Sequence, residues 1–262
     1  MSETKDLIMA NVRKDVMLNT LAQGKRYDGR ALDEMRPAEV HKGVITTAEG
    51  SALANIGQTQ VLAAVKFDIM TPFPDRPNLG VFMTNSELLP LASPIFETGP
   101  PREDAIELAR VVDRAIRSAE IIDLESFYIE EDKVLGLFID LYVLNHAGNY
   151  TDASTMAATA ALMDTQVPKV EDGKIVRGEY IGALNLKALP FSTTFVNVGG
   201  HWLVDPTRDE ELVKDSSITI ATTEEHVCAA QKSKGSLTRE ELMANIDTAF
   251  NKGNEQRKIV QG

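Results

Sequence analysis

The chain has 262 residues, 43% of them hydrophobic and 25% charged, with a net charge of −12 and an isoelectric point near 4.9. That is enough chain for one large domain or two modest ones with a real core, and the acidic balance excludes a protein that coats nucleic acid non-specifically, which needs clustered cations to displace counterions. Apolar runs such as Val134 to Ile139 fall short of the ~20 residues of a membrane span. The start, with Glu3 and Asp6 close behind Ser2, lacks a basic region followed by an apolar one, and the single Cys228 fits a reducing compartment, so a cytoplasmic protein is expected.

Ile8, Val12 and Val16 recur every fourth position, which predicts a helix over residues 3–22 with Ser2 as cap and Gly24 at its end. A turn follows at Arg26-Tyr27-Asp28-Gly29-Arg30, then strands over 38–44, 51–56 and 60–67, separated by glycine-bearing breaks. Prolines between Thr71 and Gly80 fix an extended loop. A second cluster, Pro90, Pro94, Pro100 and Pro101, leads into a helix from Arg102 to about Ile121. Residues 133–144 read as strand, and 151–167 as an alanine-rich helix stopped by Pro168.

Asp172-Gly173 marks an exposed turn and places a domain boundary near residues 168–180. Beyond it the pattern repeats, with strands at 180–187, 193–198, 201–204, 217–221 and 226–231. A last helix opens at Thr238-Arg239-Glu240-Glu241 and is expected to fade after Asn251. Strands followed by a helix, twice, indicate an α+β fold: an N-terminal helix (1–25), a core subdomain (26–168) and a C-terminal subdomain (180–255).

Three constellations could carry chemistry. On the helix after Arg102, at about 100° per residue, Arg114 lies about 40° to one side of Arg110 and Arg117 about 20° to the other. Ala105, Leu108, Val112, Ala115, Ile116 and Ala119 take the opposite face. The stripe is either a solvated face, with Glu107, Asp113 and Arg117 paired along the helix, or a phosphate-tracking surface, because a guanidinium fork matches phosphate oxygens in pairs.

The second constellation, 143–153, runs from strand through Asn145-His146-Ala147-Gly148-Asn149 into a helix whose N-terminus could bind an anion. Asp152, however, is placed to cap that end itself and would repel a phosphate. The third is Asp205-Pro206-Thr207-Arg208-Asp209-Glu210-Glu211, with four carboxylates in seven residues; it is either a plain acidic turn or a site for Mg²⁺ or a general acid. There is no P-loop, zinc pattern, nucleophile elbow or dinucleotide fingerprint, and no cofactor is expected.

These segments, in this order, resemble the RNase PH family, and within it the non-catalytic subunits of archaeal exosomes. The likeness rests on Gly24-Lys25-Arg26-Tyr27-Asp28-Gly29-Arg30, on the hairpin from Gly50 to Thr59, on the Arg110 helix, on the Val143-Leu144 strand and on Asp205-Pro206-Thr207. Active members have Asp-x-Gly-Ser/Thr-Arg after the strand, where the hydroxyl and the arginine hold the attacking phosphate. Here the matching positions carry Ala147, Asn149, Tyr150 and Thr151. They also have an Asp-Leu-x-x-x-Glu-Asp turn, in which this chain keeps Asp205 but has Pro206 for the leucine and Glu211 at the last position.

The resemblance implies a silent subunit, with no catalytic or metal-binding residue of its own, in a hexameric ring of three heterodimers. Each copy would pair with a catalytic RNase PH-like subunit, RNA-binding cap proteins would join the ring, and Arg110 and Arg114 would face the phosphates of single-stranded RNA. Two rivals remain at this point: a self-sufficient phosphorolytic or Mg-dependent exoribonuclease using Asp205, Asp209 and Glu211, and a small-molecule enzyme on a related α+β fold.

Overall fold

A computed structural model describes residues 2–262, with side chains described from residue 8. Helix α1 (Ser2–Leu21) buries Ala10, Met17 and Leu21 against Val196, Val198, Leu203 and Val213, so the N-terminal helix packs on the C-terminal half of the chain. The cap expected at Ser2 lies outside the described side chains.

The first lobe is a sheet of β1 (Ala38–Lys42), β2 (Gly50–Ile56), β3 (Thr59–Met70), β4 (Val81–Leu88), β5 (Tyr128–Glu130) and β6 (Lys133–Asn145), ordered β1-β2-β3-β6-β4 with β5 also paired to β6. Its long central strands alternate as a half-buried pair should, sending Val61, Ala63, Val65 and Phe67 of β3 and Leu137, Ile139, Leu141 and Val143 of β6 into one core. β4 pairs with β6 in parallel, a neighbour relation that requires a crossover. Helix α2 (Glu103–Ser118) supplies it, laying Ala105, Leu108, Val111, Val112, Ala115 and Ile116 inward. The sequence pattern left 81–88 without an element because Val81 and Phe82 are buried side by side, and the rest of the edge strand has no clean alternation.

Helix α3 (Tyr150–Asp164) packs on β2 and β3 on one side and on β9 (Phe191–Val198) on the other, and is buried almost throughout. A helix sandwiched between two sheets shows no amphipathic stripe, and its alanines let both sheets approach. It ends at Asp164 rather than at Val167. Thr165 turns extended, with its hydroxyl donating to Ala161 O at 2.7 Å, and Pro168 falls inside β7 (Gln166–Glu171) at a register shift against β8 (Lys174–Ala183), where a missing amide is tolerated. The β7–β8 turn at Asp172-Gly173 has φ of +50° and +66°, the geometry of a tight two-residue hairpin turn.

The second lobe is an antiparallel sheet ordered β10-β9-β11-β12, from β9, β10 (His201–Val204), β11 (Ser216–Thr222) and β12 (Val227–Lys234). Two expectations change here. The acidic run after Thr207 forms a short helix, α4 (Arg208–Val213), closed by a capping box between Thr207 and Glu210. The final helix, α5 (Arg239–Gln261), does not fade after Asn251: Ala249, Gly253, Gln256, Arg257 and Val260 are buried. Gln256 Nε2 donates to Ser192 O at 3.0 Å, and Arg257 to Leu189 O and Thr222 O at 3.0 and 2.6 Å. The polar residues that suggested a tail are buried partners of the second sheet.

Candidate nucleic-acid interface and the ion network beside it

Three segments remote in sequence meet where the two lobes join. Asp205, at φ +50° after β10, is fully buried and accepts five hydrogen bonds. Its Oδ2 takes the Arg36 amide and Nε, both at 2.8 Å, and Arg30 Nη1 at 3.1 Å; its Oδ1 takes Arg36 Nη2 and Asn149 Nδ2, both at 2.7 Å. Burial alone would raise this carboxyl, but the side chain, charge and amide of Arg36 outweigh it and hold Asp205 below the usual carboxylate range. Arg36 also donates to Ala147 O at 3.0 Å and Gly148 O at 3.1 Å, tying down the loop that enters α3. Gly148 sits at φ +98°, and a Cβ there would meet Pro206 O and Arg208 N at 2.5 Å, so this loop can lie against the Asp205 turn only with glycine.

A second buried pair supports the first. Arg26, 2% exposed, binds Glu210 through Nε at 2.9 Å and Nη2 at 2.5 Å, and donates to Val204 O and Asp205 O at 2.6 and 2.9 Å. Of the four carboxylates in 205–211, Asp205 and Glu210 are thus held by arginines of the entry segment. Asp209 pairs with Arg13 at 2.7 Å. Glu211 turns elsewhere, and among the described residues no group of three or more His, Cys, Asp or Glu side chains is placed to hold a metal ion.

The N-terminus of α3 differs from expectation. Asp152 does not cap it: fully buried, it accepts from Thr194 N and Oγ1 at 2.9 and 2.7 Å and from Asn149 Nδ2 at 2.7 Å, which joins the helix to β9. The cap is Asn149, in the left-handed conformation, with its Oδ1 facing the Asp152 amide at 3.4 Å. The Asn149 amide itself donates to Glu211 Oε1 at 2.7 Å. A protein carboxylate therefore occupies the positive end of the helix dipole, where an anion would bind.

Burial pushes both Glu211 and Asp152 up to about 7 against their hydrogen-bond donors. Desolvation, with Arg208 and Arg36 nearby, lowers His146 to about 4, and burial raises Tyr150. Phe96, His146 and Tyr150 pack ring on ring, with His146 stacked on Phe96 at 5.5 Å and edge-on to Tyr150 at 4.9 Å. Together with Glu211, Lys214, Ser217 and Glu107 they line a cleft of about 220 Å³. A larger cavity of about 360 Å³ lies under the Pro90–Pro101 loop.

Helix α2 lends Glu107, Leu108 and Val111 to this cleft, and the arginines of its stripe have different fates. Arg117 donates to both oxygens of Asp113 and to Phe82 O at 2.8 Å, with its guanidinium 4.9 Å from the Phe82 ring centroid, so it braces α2 against β4. Arg114 is exposed and donates to Gln231 Oε1 of β12 at 2.6 Å. Arg110 is exposed, and its side chain makes no hydrogen bond or ion pair with a described residue. Glu107 does not pair along the helix; it accepts from Gln231 Nε2 at 3.3 Å and Ser233 Oγ at 3.2 Å. Sequence reasoning had no means of finding Arg36, Gln231 or Ser233, because the main partners of each lie more than a hundred residues away.

An α+β molecule of two lobes, with an ion-paired junction and a helix whose outer face carries three exposed arginines, defines the class. The sequence model described as the 3′ exoribonuclease family, domain 1 (RNase PH) matches residues 34–168, and that for domain 2 of the same family matches 188–252. The chain belongs to the RNase PH family of 3′ exoribonucleases. It is 48% identical to the exosome complex component Rrp42 of Thermococcus gammatolerans, over 97% of this chain and 95% of that one, and 47% identical to its namesake in Pyrococcus furiosus, over 98% and 95%. Among solved structures, a chain of the Archaeoglobus fulgidus exosome with RNA bound to the active site superposes with a TM-score of 0.87 at 44% identity, covering 96% of this chain and 98% of that one. A chain of an archaeal exosome core gives 0.86 at 41% identity, over 99% and 100%.

Two outcomes follow from the ion network. Replacing Asp205 by Asn leaves the part-buried Arg36 without its counter-charge, and urea unfolding should show a loss of about 3 kcal/mol, the lower end of the scale for an uncompensated buried charge; a loss below 1 kcal/mol would contradict the role given to this pair. Burial pushes Glu211 up to about 7 in the fold, against 4.5 for an ordinary glutamate carboxyl. Between those values the folded state holds the extra proton, so its contribution to stability is full at low pH and lost as pH rises through 7. Glu211→Gln removes that loss, and its melting temperature should improve relative to the parent from pH 5 to pH 8, whereas a pH-independent difference would refute the shifted carboxyl.

Proposed function

We propose that this chain is a non-catalytic component of an exosome, an RNA 3′→5′ phosphorolytic degradation complex, in which it completes the active site of a catalytic RNase PH-like partner and grips RNA phosphates through Arg110 and Arg114. The observation that carries the silent reading is the Glu211 carboxylate on the Asn149 amide. The expected location for the attacking phosphate of active relatives is this helix end, and here its amide is already taken by the protein's own carboxyl group. Phosphate would have to displace that group, with Tyr150 and Thr151 where the small hydroxyl and arginine would stand.

Support for the RNA-gripping reading comes from the exposure of both guanidiniums and from Arg110 having no anion on it among the described residues. Their attachment to a helix whose other face is core holds them in place. The assembly proposed is a hexameric ring of three heterodimers, joined by RNA-binding cap proteins and working in the cytoplasm; among the described residues no helix is long and apolar enough to cross a membrane. In this reading α1 (within 1–25), the 26–168 lobe and the 180–255 lobe act as one scaffold, with α2 and β12 lining the RNA side.

Two experiments test it. The purified chain, given single-stranded RNA, phosphate and Mg²⁺, should release no nucleoside diphosphates, and release should appear on mixing with the catalytic partner. Turnover that follows the isolated chain through successive chromatographic steps would overturn the silent reading. In the assembled complex, replacing Arg110 and Arg114 by Ala should flatten the plot of log affinity against log salt by about 1.4, at about 0.7 per single-strand phosphate contact, and weaken unrelated sequences alike. An unchanged affinity and slope would remove these residues from the interface.

A further inference from the structure

We infer that Gln231 and Ser233 of β12 are positioning residues for RNA, which keep Glu107 away from the arginine stripe and set the Arg114 fork. The inference rests on the RNA-gripping reading of Arg110 and Arg114.

Glu107, Arg110 and Arg114 are spaced i, i+3 and i+7 along α2 and so share a face. Left to itself, a glutamate three residues before an arginine pairs with it, which would neutralise Arg110 and place a carboxylate beside an incoming phosphate. The structure diverts Glu107. Its Oε1 accepts from Gln231 Nε2 at 3.3 Å and from Ser233 Oγ at 3.2 Å, both on a strand of the other lobe. Two donors on one oxygen hold the carboxylate against β12, and the Arg110 side chain is left without a partner among the described residues.

The same Gln231 amide does a second job. Its Oε1 accepts from Arg114 Nη2 at 2.6 Å, while Arg114 Nε approaches the Arg110 carbonyl at 3.3 Å. Because Nε2 of the amide is committed to Glu107, its oxygen must face Arg114, so one side chain orients both the cation and the anion. Arg114 is thus held at Nε and Nη2 by neutral acceptors, which keeps its full positive charge, and Nη1 has no partner among the described residues. A neutral acceptor fixes the guanidinium without spending its charge, whereas a carboxylate at 231 would compete with phosphate for it. The three donor–acceptor contacts are exposed, so the expected effect on RNA is moderate.

The test uses the complex assembled with the catalytic partner and a labelled, unstructured single-stranded RNA titrated at several salt concentrations. Gln231→Leu with Ser233→Ala removes both donors while keeping the volume at 231, and should weaken binding by roughly threefold to tenfold and lower the salt slope, as Arg110 becomes paired. Adding Glu107→Gln in that background removes the released competitor and should restore affinity and slope to at least the parent level. A merely structural role for Gln231 predicts a lower melting temperature and no rescue by Glu107→Gln.

Unchanged binding in the Gln231/Ser233 variant, with the Arg110/Arg114 double Ala variant still weakened, would overturn this inference and leave the arginine reading standing. Weakened binding that Glu107→Gln fails to restore would also overturn it. If the double Ala variant itself binds normally, the arginine reading fails and this inference falls with it.

Discussion

The buried pairing of Asp205 with Arg36 is the contact on which the junction of the lobes depends. A carboxylate with no exposed surface is tolerable only when its charge and lone pairs are met, and here one arginine supplies three donors while Asn149 and Arg30 supply the rest. Because Arg36 also holds the carbonyls of Ala147 and Gly148, the ion pair fixes the path of the loop into α3. Arg26 and Glu210 repeat the arrangement one layer away, around the start of α4. Buried pairs of this kind contribute less to net stability than to choosing a single arrangement, and the arrangement chosen is the one that sets the N-terminus of α3 against the Asp205 turn.

Once that loop is fixed, the chemistry available at the helix end is largely decided. Carboxylates surround it: Asp205 and Asp152 each accept from Asn149 Nδ2, and Glu211 accepts from its amide. Burial raises Asp152 and Glu211 to about 7 because charge is costly there, yet each is satisfied by named donors. The site is well built, and it is built to be internally complete. A pocket for attacking phosphate needs the reverse, a helix end and a cation left waiting for an anion. In this chain the exposed cations stand instead on α2, at Arg110 and Arg114.

Helix α2 presents two different faces. As the crossover between the parallel strands β4 and β6 it must bury an apolar face, and that requirement turns Arg110 and Arg114 outward. Its outer face is then tuned by neighbours: Asp113 and Phe82 engage Arg117, while Gln231 engages both Arg114 and Glu107. Three arginines equivalent in a helical projection become a brace, an oriented cation and a cation whose side chain has no partner among the described residues.

The sequence by itself determined whatever is written in short-range pattern: the two-residue alternation of β3, the four-residue spacing and polar face of α2, the hairpin turn at Asp172-Gly173, and the replacement of the phosphate motif at Ala147, Asn149, Tyr150 and Thr151. It was misleading where burial overrides composition. The polar end of α5 is core because the second sheet and the segment leading into it offer Ser192 O, Thr222 O and Leu189 O to Gln256 and Arg257, and the acidic run after Thr207 is a helix whose Glu210 and Glu211 accept from Arg26 and the Asn149 amide. Only the tertiary structure decided that Asp205 would meet Arg36 across 169 residues, and that Gln231 would meet Glu107 across 124. Periodicity reports which way a side chain faces relative to its own element, but hydrogen bonds and ion pairs act over a few ångströms, so their partners exist only once the lobes have closed on each other.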